Sequence, residues 1–322
     1  MVPNEPGASP RRVQIQTQSG CNGRCVFCPN EDVLRSGLAQ GRMSPALFHK
    51  IIDELAASPP SRVSLYLMNE PLLDLRLPEF VRYVAERIPA STTLVTSNGT
   101  QLTEDMGAAL IDAGLKRLKV SVQSLDPETN RELMGPWCDS EKVVGNVLAF
   151  KRLLKEKRSK LDLRVSMLVT KLNQDEIEDT RRFWRGHGIR LVTSALENRG
   201  GNIEAAEDLN PHEMACYHCS CVRPSREMCI LWNGDVVLCC VDWWRTVIVG
   251  NVEKQSIGEV WKGEDLEVIR SALRENNEIL MPTICSECTE SAQPDFHRAG
   301  FRGFLSRRYG FSWSRRGDSH HE

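Results

Sequence analysis

The amino-acid sequence predicts an α/β fold, a partial (βα)6 barrel followed by a small C-terminal domain. Short apolar runs alternate with helical patterns from residue 10 to residue 195, as in folds that build a parallel sheet. Six strands are too few to close an eightfold barrel. After about residue 196 the alternation gives way to an irregular, cysteine-rich region. We therefore expect a barrel over 10–195, a second domain over 196–290 and a basic, aromatic tail over 291–322.

The barrel half contains six apolar runs that we interpret as strands, over 12–17, 62–68, 92–97, 116–122, 163–170 and 189–194. The helices between them carry start and stop signals. Ser44 precedes Pro45 as an N-cap before a helix that reaches residue 57, and Thr103 and Asp126 stand before later helical patterns. Gly114 is typical of a helix end before a strand.

The C-terminal half is predicted from shorter signals. Residues 197–225 resemble a linker, and strands over 228–231 and 236–241 flank an Asn233-Gly234 turn, which predicts a hairpin. Helical patterns follow over 256–261 and 264–273.

Composition indicates the cellular compartment of the protein and the classes of partner that it binds. The 322 residues are 41% apolar and 26% charged with a net charge of −2, which gives no overall attraction to nucleic acid or to a membrane surface. The first residues contain no apolar targeting segment, so we expect a cytoplasmic protein. In a reducing compartment the 12 cysteines are expected to be metal ligands rather than disulfides.

A first group of cysteines follows the first strand. Cys21, Cys25 and Cys28 form a C-x3-C-x2-C pattern, and three thiolates leave a fourth coordination position open for a substrate or cofactor. A zinc knuckle completed by a distant ligand is the alternative. The segment CNGRCVFC, placed after the first strand of a partial barrel, resembles the cluster-binding loop of the radical S-adenosylmethionine (SAM) superfamily.

The resemblance implies a [4Fe-4S] cluster whose open iron binds SAM. It also implies one-electron cleavage of SAM to a 5′-deoxyadenosyl radical, which abstracts hydrogen from a carbon of the substrate. Phe27 occupies the aromatic position that lies beside the adenine in this family.

Further segments resemble SAM-binding motifs of the family. Met68-Asn69-Glu70-Pro71 is similar to a Gly-Gly-Glu-Pro motif, whose backbone groups and acidic residue hold the SAM ammonium in this family. Met68 and Asn69 replace the two glycines, so the resemblance assigns Glu70 and the backbone at Asn69 to the cofactor. Gln123 stands where many relatives have Asp. For the further candidates an ordinary strand-end polar role remains open. The candidate cofactor-binding residues at the other strand ends are Ser97, Asn98, Ser121, Gln123, Arg164, Ser166 and Asn173.

The second group of cysteines resembles the twitch domain, a shortened SPASM domain. Cys221, a hairpin that carries Cys239, and a C-x2-C pair of Cys285 and Cys288 follow the order of that domain. This implies one auxiliary [4Fe-4S] cluster, because no cysteine follows Cys288. Cys216 or Cys219 could replace Cys221, and a zinc ribbon is the alternative.

Some polar and thiol groups remain open to two interpretations. Cys138 and Cys240 are candidate hydrogen-atom donors to a substrate radical, or else small buried apolar residues. Arg199-Gly200-Gly201 could bind an anion or form a simple turn. The stretch 296–316 has six Arg and six aromatic residues without an acid, and we expect it to cover the protein rather than to bind RNA or a membrane.

These observations predict a radical SAM enzyme acting on a polar small molecule in natural-product biosynthesis. Few residues precede the cysteine loop for a peptide-recognition domain, which favours a sugar, an aminocyclitol or a nucleoside. Epimerisation and dehydrogenation are both open, and the spare cysteines favour the former slightly. Radical decarboxylation and peptide epimerisation are alternatives, as is a non-catalytic iron-sulfur or zinc protein. We expect an external one-electron donor such as flavodoxin or ferredoxin.

Overall fold

The six predicted strands form the parallel part of one sheet. The structure, a computed structural model, describes residues 6–211 and 221–289. Strands 2 and 4 are shorter than predicted, since β2 ends at Ser64 and β4 at Ser121. The strands are β1 Arg12–Ile15, β2 Arg62–Ser64, β3 Thr92–Ser97, β4 Arg117–Ser121, β5 Asp162–Val169 and β6 Arg190–Ala195.

The helices lie between these strands and after them, and the predicted N-caps are confirmed. Ser44 Oγ accepts a hydrogen bond from the amide of Leu47, and Asp126 accepts from two amides of its first turn. The helices are α1 Asn30–Arg35, α2 Pro45–Ala56, α3 Leu77–Arg87, α4 Glu104–Asp112, α5 Pro127–Met134, α6 Ser140–Glu156, α7 Ile177–Gly186, α8 Ala206–Leu209, α9 Ile257–Trp261, α10 Glu264–Glu275 and α11 Thr283–Ser286.

Helix α6 is absent from the sequence-based prediction. Asp139 caps its first turn by accepting from the amide of Lys142, and its buried Val143, Val147, Phe150 and Leu154 recur at helical spacing. Both signals are visible in the sequence, so this helix was predictable.

The predicted hairpin extends the barrel sheet. β7 (Glu227–Ile230) pairs in parallel with β1, while β8 (Asp235–Val237) and β9 (Ile248–Asn251) continue antiparallel. The strand order is β6-β5-β4-β3-β2-β1-β7-β8-β9. The C-terminal half therefore abuts the first strand, whose following loop carries the first cysteines. The predicted tail over 291–322, Cys216 and Cys219 lie outside the described residues.

The two faces of the parallel strands differ in polarity. On β4, Leu118 and Val120 are fully buried against helices, whereas Lys119 between them lies on the opposite face. Arg62 on β2 and Arg164 on β5 lie on that same face. We call this polar inner face of the open barrel the lumen.

No helix within residues 6–211 and 221–289 is long and apolar enough to span a bilayer.

Candidate active site

The three loops that follow β1, β2 and β3 meet at the carboxyl ends of the strands. Gly20 forms a parallel bridge with Asn69, and the Glu70 amide donates to the Gly20 carbonyl at 3.0 Å. Asn98 Nδ2 donates to Asn22 Oδ1 at 2.8 Å. The cysteine loop and two of the predicted SAM-binding motifs are therefore physically joined.

The cysteine loop is held in place by backbone contacts. Asn30 Nδ2 donates to the Gly23 carbonyl at 3.0 Å, and the Val26 amide donates to the Leu133 carbonyl at 3.1 Å. A Cβ on Gly23 would lie 2.9 Å from the Trp137 ring, so only glycine fits there without a shift. The loop is thus supported from α5 and from the segment after it.

The three thiols of this loop lie close enough to affect one another. Burial, then Glu70 and Cys28, raise the pKa of Cys21 to about 12. Burial raises the pKa of Cys25 well above its usual range, and both Cys28 and Cys21 add to that increase. Burial raises the pKa of Cys28, and the guanidinium of Arg199 offsets part of this increase. Without a metal these groups remain thiols.

This donor set fits an iron-sulfur cluster better than a single ion. Within the described residues no three His, Cys, Asp or Glu side chains converge tightly enough to hold one metal ion. A four-iron cluster has a separate iron for each thiolate, so its ligands can stand farther apart than those of a mononuclear site. Three neighbouring soft thiols in one loop meet that requirement.

Glu70 is a buried carboxylate without a counter-ion. Its Oε1 accepts from the Leu72 amide at 3.0 Å and from Ser97 Oγ at 2.7 Å, and its Oε2 accepts from the Asn98 amide at 2.7 Å. Burial raises its pKa from 4.5 to about 7 despite these hydrogen bonds. Among the described residues no cation forms an ion pair with it, and a buried carboxylate in this state favours a cationic ligand.

Ser97 and Asn98 both donate hydrogen bonds to Glu70 in this structure. The Ser97 hydroxyl donates to Glu70 and accepts from the Gly99 amide, while Asn98 Oδ1 accepts from the Thr100 amide and hydroxyl. Both residues thus have a positioning role in this structure, and their direct contact with a cofactor stays a prediction.

Asn69 contributes a donor rather than an acceptor. Its Oδ1 accepts from the Leu67 amide at 2.8 Å, which fixes the orientation of the side-chain amide. Its Nδ2 is buried without a hydrogen-bond partner. The side chain therefore fits an acceptor on a ligand, and the assignment of Asn69 to the cofactor site stays a prediction.

Two residues predicted to bind the cofactor take part in closing a loop. The Asn173 amide group donates to the carbonyls of Gln123 and Leu168, and its oxygen accepts from the Thr170 amide and hydroxyl. All its hydrogen-bonding capacity is used, so Asn173 has no group left for a ligand. Gln123 Oε1 accepts from the Leu168 amide at 2.8 Å and joins the same network.

The remaining candidates on β4 and β5 lie on the lumen face. Ser121 Oγ and Ser166 Oγ are 3.5 Å apart, at paired positions of the two strands. Arg164 donates twice to one oxygen of Asp162, at 2.9 and 2.6 Å. Its guanidinium is thus directed toward Asp162, two residues earlier in β5. Phe27 is buried in the core beneath the cysteine loop.

The second cysteine set lies where the C-terminal segments meet. Burial, then Cys221 and Cys288, raise the pKa of Cys285 to about 12, which shows that these three thiols are neighbours. Burial raises the pKa of Cys239, to which Cys240 adds and which Arg223 partly offsets. Cys239 thus lies near Cys240, Arg223 and Cys229.

Gly200 and Gly201 explain how the C-x2-C pair is held. A Cβ on Gly200 would lie 2.5 Å from Ile284 of α11, and one on Gly201 would lie 2.5 Å from Glu287. Both glycines have positive φ, at 70° and 83°. Asn198 Nδ2 adds a 2.7 Å hydrogen bond to the Glu287 carbonyl. These glycines therefore serve close packing, whereas the Arg199 side chain remains directed to Cys28 and Cys240.

The two candidate hydrogen-atom donors lie in different surroundings. Cys138 is part of the main apolar core and lies near Cys25. Cys240 packs at the edge of that core and also against a small cluster that contains Leu67 and Cys229, and it adds to the burial that raises the pKa of Tyr66. Only Cys240 of the two is placed at the lumen.

Several lumen residues were missed from the sequence. They are Arg62, Tyr66, Lys119 and Glu227. The sequence does contain a signal for these residues. Charged and apolar side chains alternate in the short predicted strands, as in Arg117-Leu118-Lys119-Val120, which indicates that one face of the sheet is polar.

Comparison with known protein families agrees with this arrangement. The profile of the radical SAM superfamily matches residues 15–183, a little more than half of the chain. The profile of the iron-sulfur cluster-binding domain SPASM matches residues 216–289.

Individual relatives are similar over different lengths. The chain is 24% identical over 270 residues to an S-adenosyl-L-methionine-dependent 2-deoxy-scyllo-inosamine dehydrogenase of Niallia circulans, covering 82% of this chain and 87% of that protein. It is 30% identical over 181 residues to a GTP 3′,8-cyclase of Aquifex aeolicus, covering 56% of this chain and 54% of that one. The chain therefore spans about half the length of the cyclase.

Solved structures share the fold. BtrN in complex with AdoMet and 2-DOIA superposes with a TM-score of 0.59 at 22% identity, covering 86% of this chain and 92% of that one. Streptococcus suis SuiB bound to precursor peptide SuiA gives 0.66 at 16% identity, with 87% and 71% covered. The chain therefore belongs to the radical SAM superfamily of enzymes and carries a SPASM-type iron-sulfur cluster-binding domain C-terminal to its barrel.

Proposed function

We propose that this enzyme dehydrogenates a hydroxyl-bearing carbon of a polar small molecule such as a sugar or an aminocyclitol. Support comes from the inosamine dehydrogenase relative, which is similar across both the barrel and the C-terminal half. The polar lumen supports a hydrophilic substrate, because Arg62, Lys119 and Glu227 would repel an apolar one.

The first thiol set is proposed to hold the SAM-binding cluster. Cys21, Cys25 and Cys28 are the ligands in this proposal. Glu70 meets the SAM ammonium, since it is a buried carboxylate beside the cysteine loop that pairs with no cation within the described residues. Asn69 Nδ2 donates to an acceptor of SAM. When bound, SAM and the two clusters supply a 5′-deoxyadenosyl radical for hydrogen abstraction and a one-electron acceptor for the oxidation that follows.

Further side chains are proposed to complete the SAM site. The paired hydroxyls of Ser121 and Ser166 face the ribose, and Phe27 supports the adenine from beneath the cysteine loop. Ser97 and Asn98 hold the Glu70 carboxylate in position.

The second thiol set is proposed to hold one auxiliary [4Fe-4S] cluster through Cys221, Cys239, Cys285 and Cys288. The single observation that carries the dehydrogenase proposal is that the turn around Arg199 adjoins both thiol sets. Gly200 packs against Ile284, next to Cys285. The charge of Arg199 offsets part of the burial that raises the pKa of Cys28 and of Cys240, which is next to Cys239.

Epimerisation is the second candidate function, and the position of Cys240 favours it. The thiol lies at the lumen near Tyr66, where it could return a hydrogen atom to a substrate radical. Cys138 lies on the core side of the cysteine loop and is the weaker donor.

Product analysis in deuterated water separates the two functions. We expect the reconstituted enzyme, with SAM, dithionite and a panel of polyols that includes 2-deoxy-scyllo-inosamine, to form 5′-deoxyadenosine and a product that has lost two hydrogens. Cys240→Ala should retain this oxidation. A product of unchanged formula that contains solvent deuterium, lost in Cys240→Ala, would instead establish epimerisation.

We also propose an external one-electron donor such as flavodoxin or ferredoxin and a cytoplasmic location. No disulfide joins the ten cysteines in the described part of the chain, as expected in a reducing compartment.

A further inference from the structure

Three cationic side chains lie together on the lumen face. Lys119 stands between Leu118 and Val120, which are buried against helices, so its own side chain lies on the inner face of β4. Burial lowers the pKa of Lys119, and the neighbouring charges of Arg62 and Arg199 lower it further. Lys119 is therefore close enough to each of the two arginines to be repelled by it.

Two of these cations also have unused hydrogen-bond donors. The Nε atoms of Arg62 and Arg199 are both buried without a hydrogen-bond partner. A buried guanidinium donor in this state carries an energetic cost that a bound acceptor would remove.

The carboxylates around the lumen are already paired with other cations. Glu227 lies 2.8 Å from Arg12. Asp162 lies 2.8 Å from Arg117 and also pairs with Arg164. Glu197 pairs with Arg223 at 3.4 Å. Within residues 6–211 and 221–289, no carboxylate forms an ion pair with Arg62, Lys119 or Arg199, so the lumen retains excess positive charge.

The depth of these residues separates them from the cluster loop. Lys119 lies two residues before the end of β4, and Arg62 is the first residue of β2, at the opposite end of the strand from the cysteine loop. Arg199 lies near Cys28 and could balance a cluster there, but Arg62 and Lys119 lie deeper in the barrel. Their charge needs a different partner.

We propose that the substrate carries an anionic group, a phosphate ester or a carboxylate, which binds in the lumen between Arg62, Lys119 and Arg199. This inference rests on the proposed function and narrows its substrate class from polar to anionic molecules. Guanidinium and ammonium donors are well suited to such oxyanions. Tyr66 adds a neutral hydroxyl nearby, since burial raises the pKa of its phenol.

Direct binding measurements test the proposal. Isothermal titration of the reconstituted enzyme with glucose 6-phosphate, glucuronate, inorganic phosphate and glucose should show binding of at least one anion and weaker or no binding of glucose. The phosphate and glucuronate arms distinguish a phosphate ester from a carboxylate. Lys119→Met should weaken anion binding about tenfold or more, which corresponds to about 1.4 kcal/mol.

Two control variants show whether an effect of Lys119→Met comes from the loss of the Lys119 charge. Lys119→Arg should retain most of the affinity because it preserves the charge, and Lys160→Met should leave it unchanged because Lys160 is exposed. Equal affinity for glucose and the anions, no binding of any anion, or unchanged affinity in Lys119→Met would overturn the inference. Oxidation of a neutral polyol by an enzyme that binds no anion would support the proposed function and overturn the anion site. Anion binding without oxidation of any substrate would support the anion site in the lumen and overturn the proposed function.

Discussion

The hydroxyl of Ser97 donates a 2.7 Å hydrogen bond to the carboxylate of Glu70 at the carboxyl ends of neighbouring strands. The two residues are 27 positions apart, and the backbone amides of Leu72 and Asn98 complete the arrangement. These donors hold a carboxylate that is 2% exposed and has no cationic partner within the described residues. Glu70 is thus prepared for a positive ligand group.

Removing the negative charge of Glu70 should weaken SAM binding. Glu70→Gln keeps the size of the side chain but lacks the charge that would attract an ammonium, and a hydrogen bond to a charged group is worth about 1.5–3 kcal/mol. We expect a loss of at least about tenfold in SAM affinity, measured by equilibrium dialysis. Glu86→Gln on the exposed surface of α3 is the control. Unchanged SAM affinity in Glu70→Gln would exclude this role.

The raised pKa of Glu70 also predicts that the stability of the folded protein depends on pH. Its folded-state pKa of about 7 exceeds the ordinary value of 4.5, so the folded chain binds this proton more tightly than the unfolded chain. Its contribution to stability is therefore full below about pH 4.5 and is lost as the pH rises through 7, on the order of 3 kcal/mol in total.

Chemical denaturation between pH 5 and 8 checks this dependence on the SAM-free protein. We expect the free energy of unfolding to fall with rising pH more steeply in the wild type than in Glu70→Gln. Parallel curves would show that Glu70 does not titrate in this range. SAM affinity should follow the opposite trend and increase toward pH 8, because only the ionised carboxylate attracts an ammonium.

The cysteine assignments predict the iron content. Cys25→Ala removes one of three proposed ligands and should reduce iron from about eight to about four atoms per chain, because a second cluster remains. Cys229→Ala should keep the full content, since this buried thiol belongs to neither proposed set. Iron and sulfide analysis after anaerobic reconstitution measures both. Full iron content in Cys25→Ala would disprove its ligand role.

The close packing of Gly200 predicts a separate effect on the second thiol set. Gly200→Ala places a Cβ 2.5 Å from Ile284 at a φ of 70°. We expect a loss of stability of about 1–3 kcal/mol and weaker retention of the auxiliary cluster. Gly145→Ala in α6 is the matched control, because nothing lies within 4 Å of its added Cβ.

The control should be neutral or gain up to about 1 kcal/mol from higher helix propensity. Thermal unfolding and iron analysis of both variants give the comparison. Equal unfolding temperatures would show that the contact between Gly200 and α11 contributes little to the folded state.

Much of the fold followed from local signals. The strand at 92–97 and the caps at Ser44 and Asp126 were predictable because apolar alternation and N-cap chemistry act within a few residues. Helix α6 was equally visible but was missed. The parallel pairing of β7 with β1 was not predictable, because no local feature specifies which edge a distant hairpin joins.

The sequence by itself determined the cysteine spacing, the order of the βα units and hence the resemblance to a superfamily, since each is a short-range pattern. Only the tertiary structure decided which polar groups are available to a ligand. Asn173 is fully hydrogen-bonded, whereas Asn69 retains a buried donor. Arg62 and Lys119 form no ion pair within the described residues, because the packing of separate strands directs the nearby carboxylates to other cations. Burial and pairing depend on residues far apart in the chain, and a linear pattern does not record them.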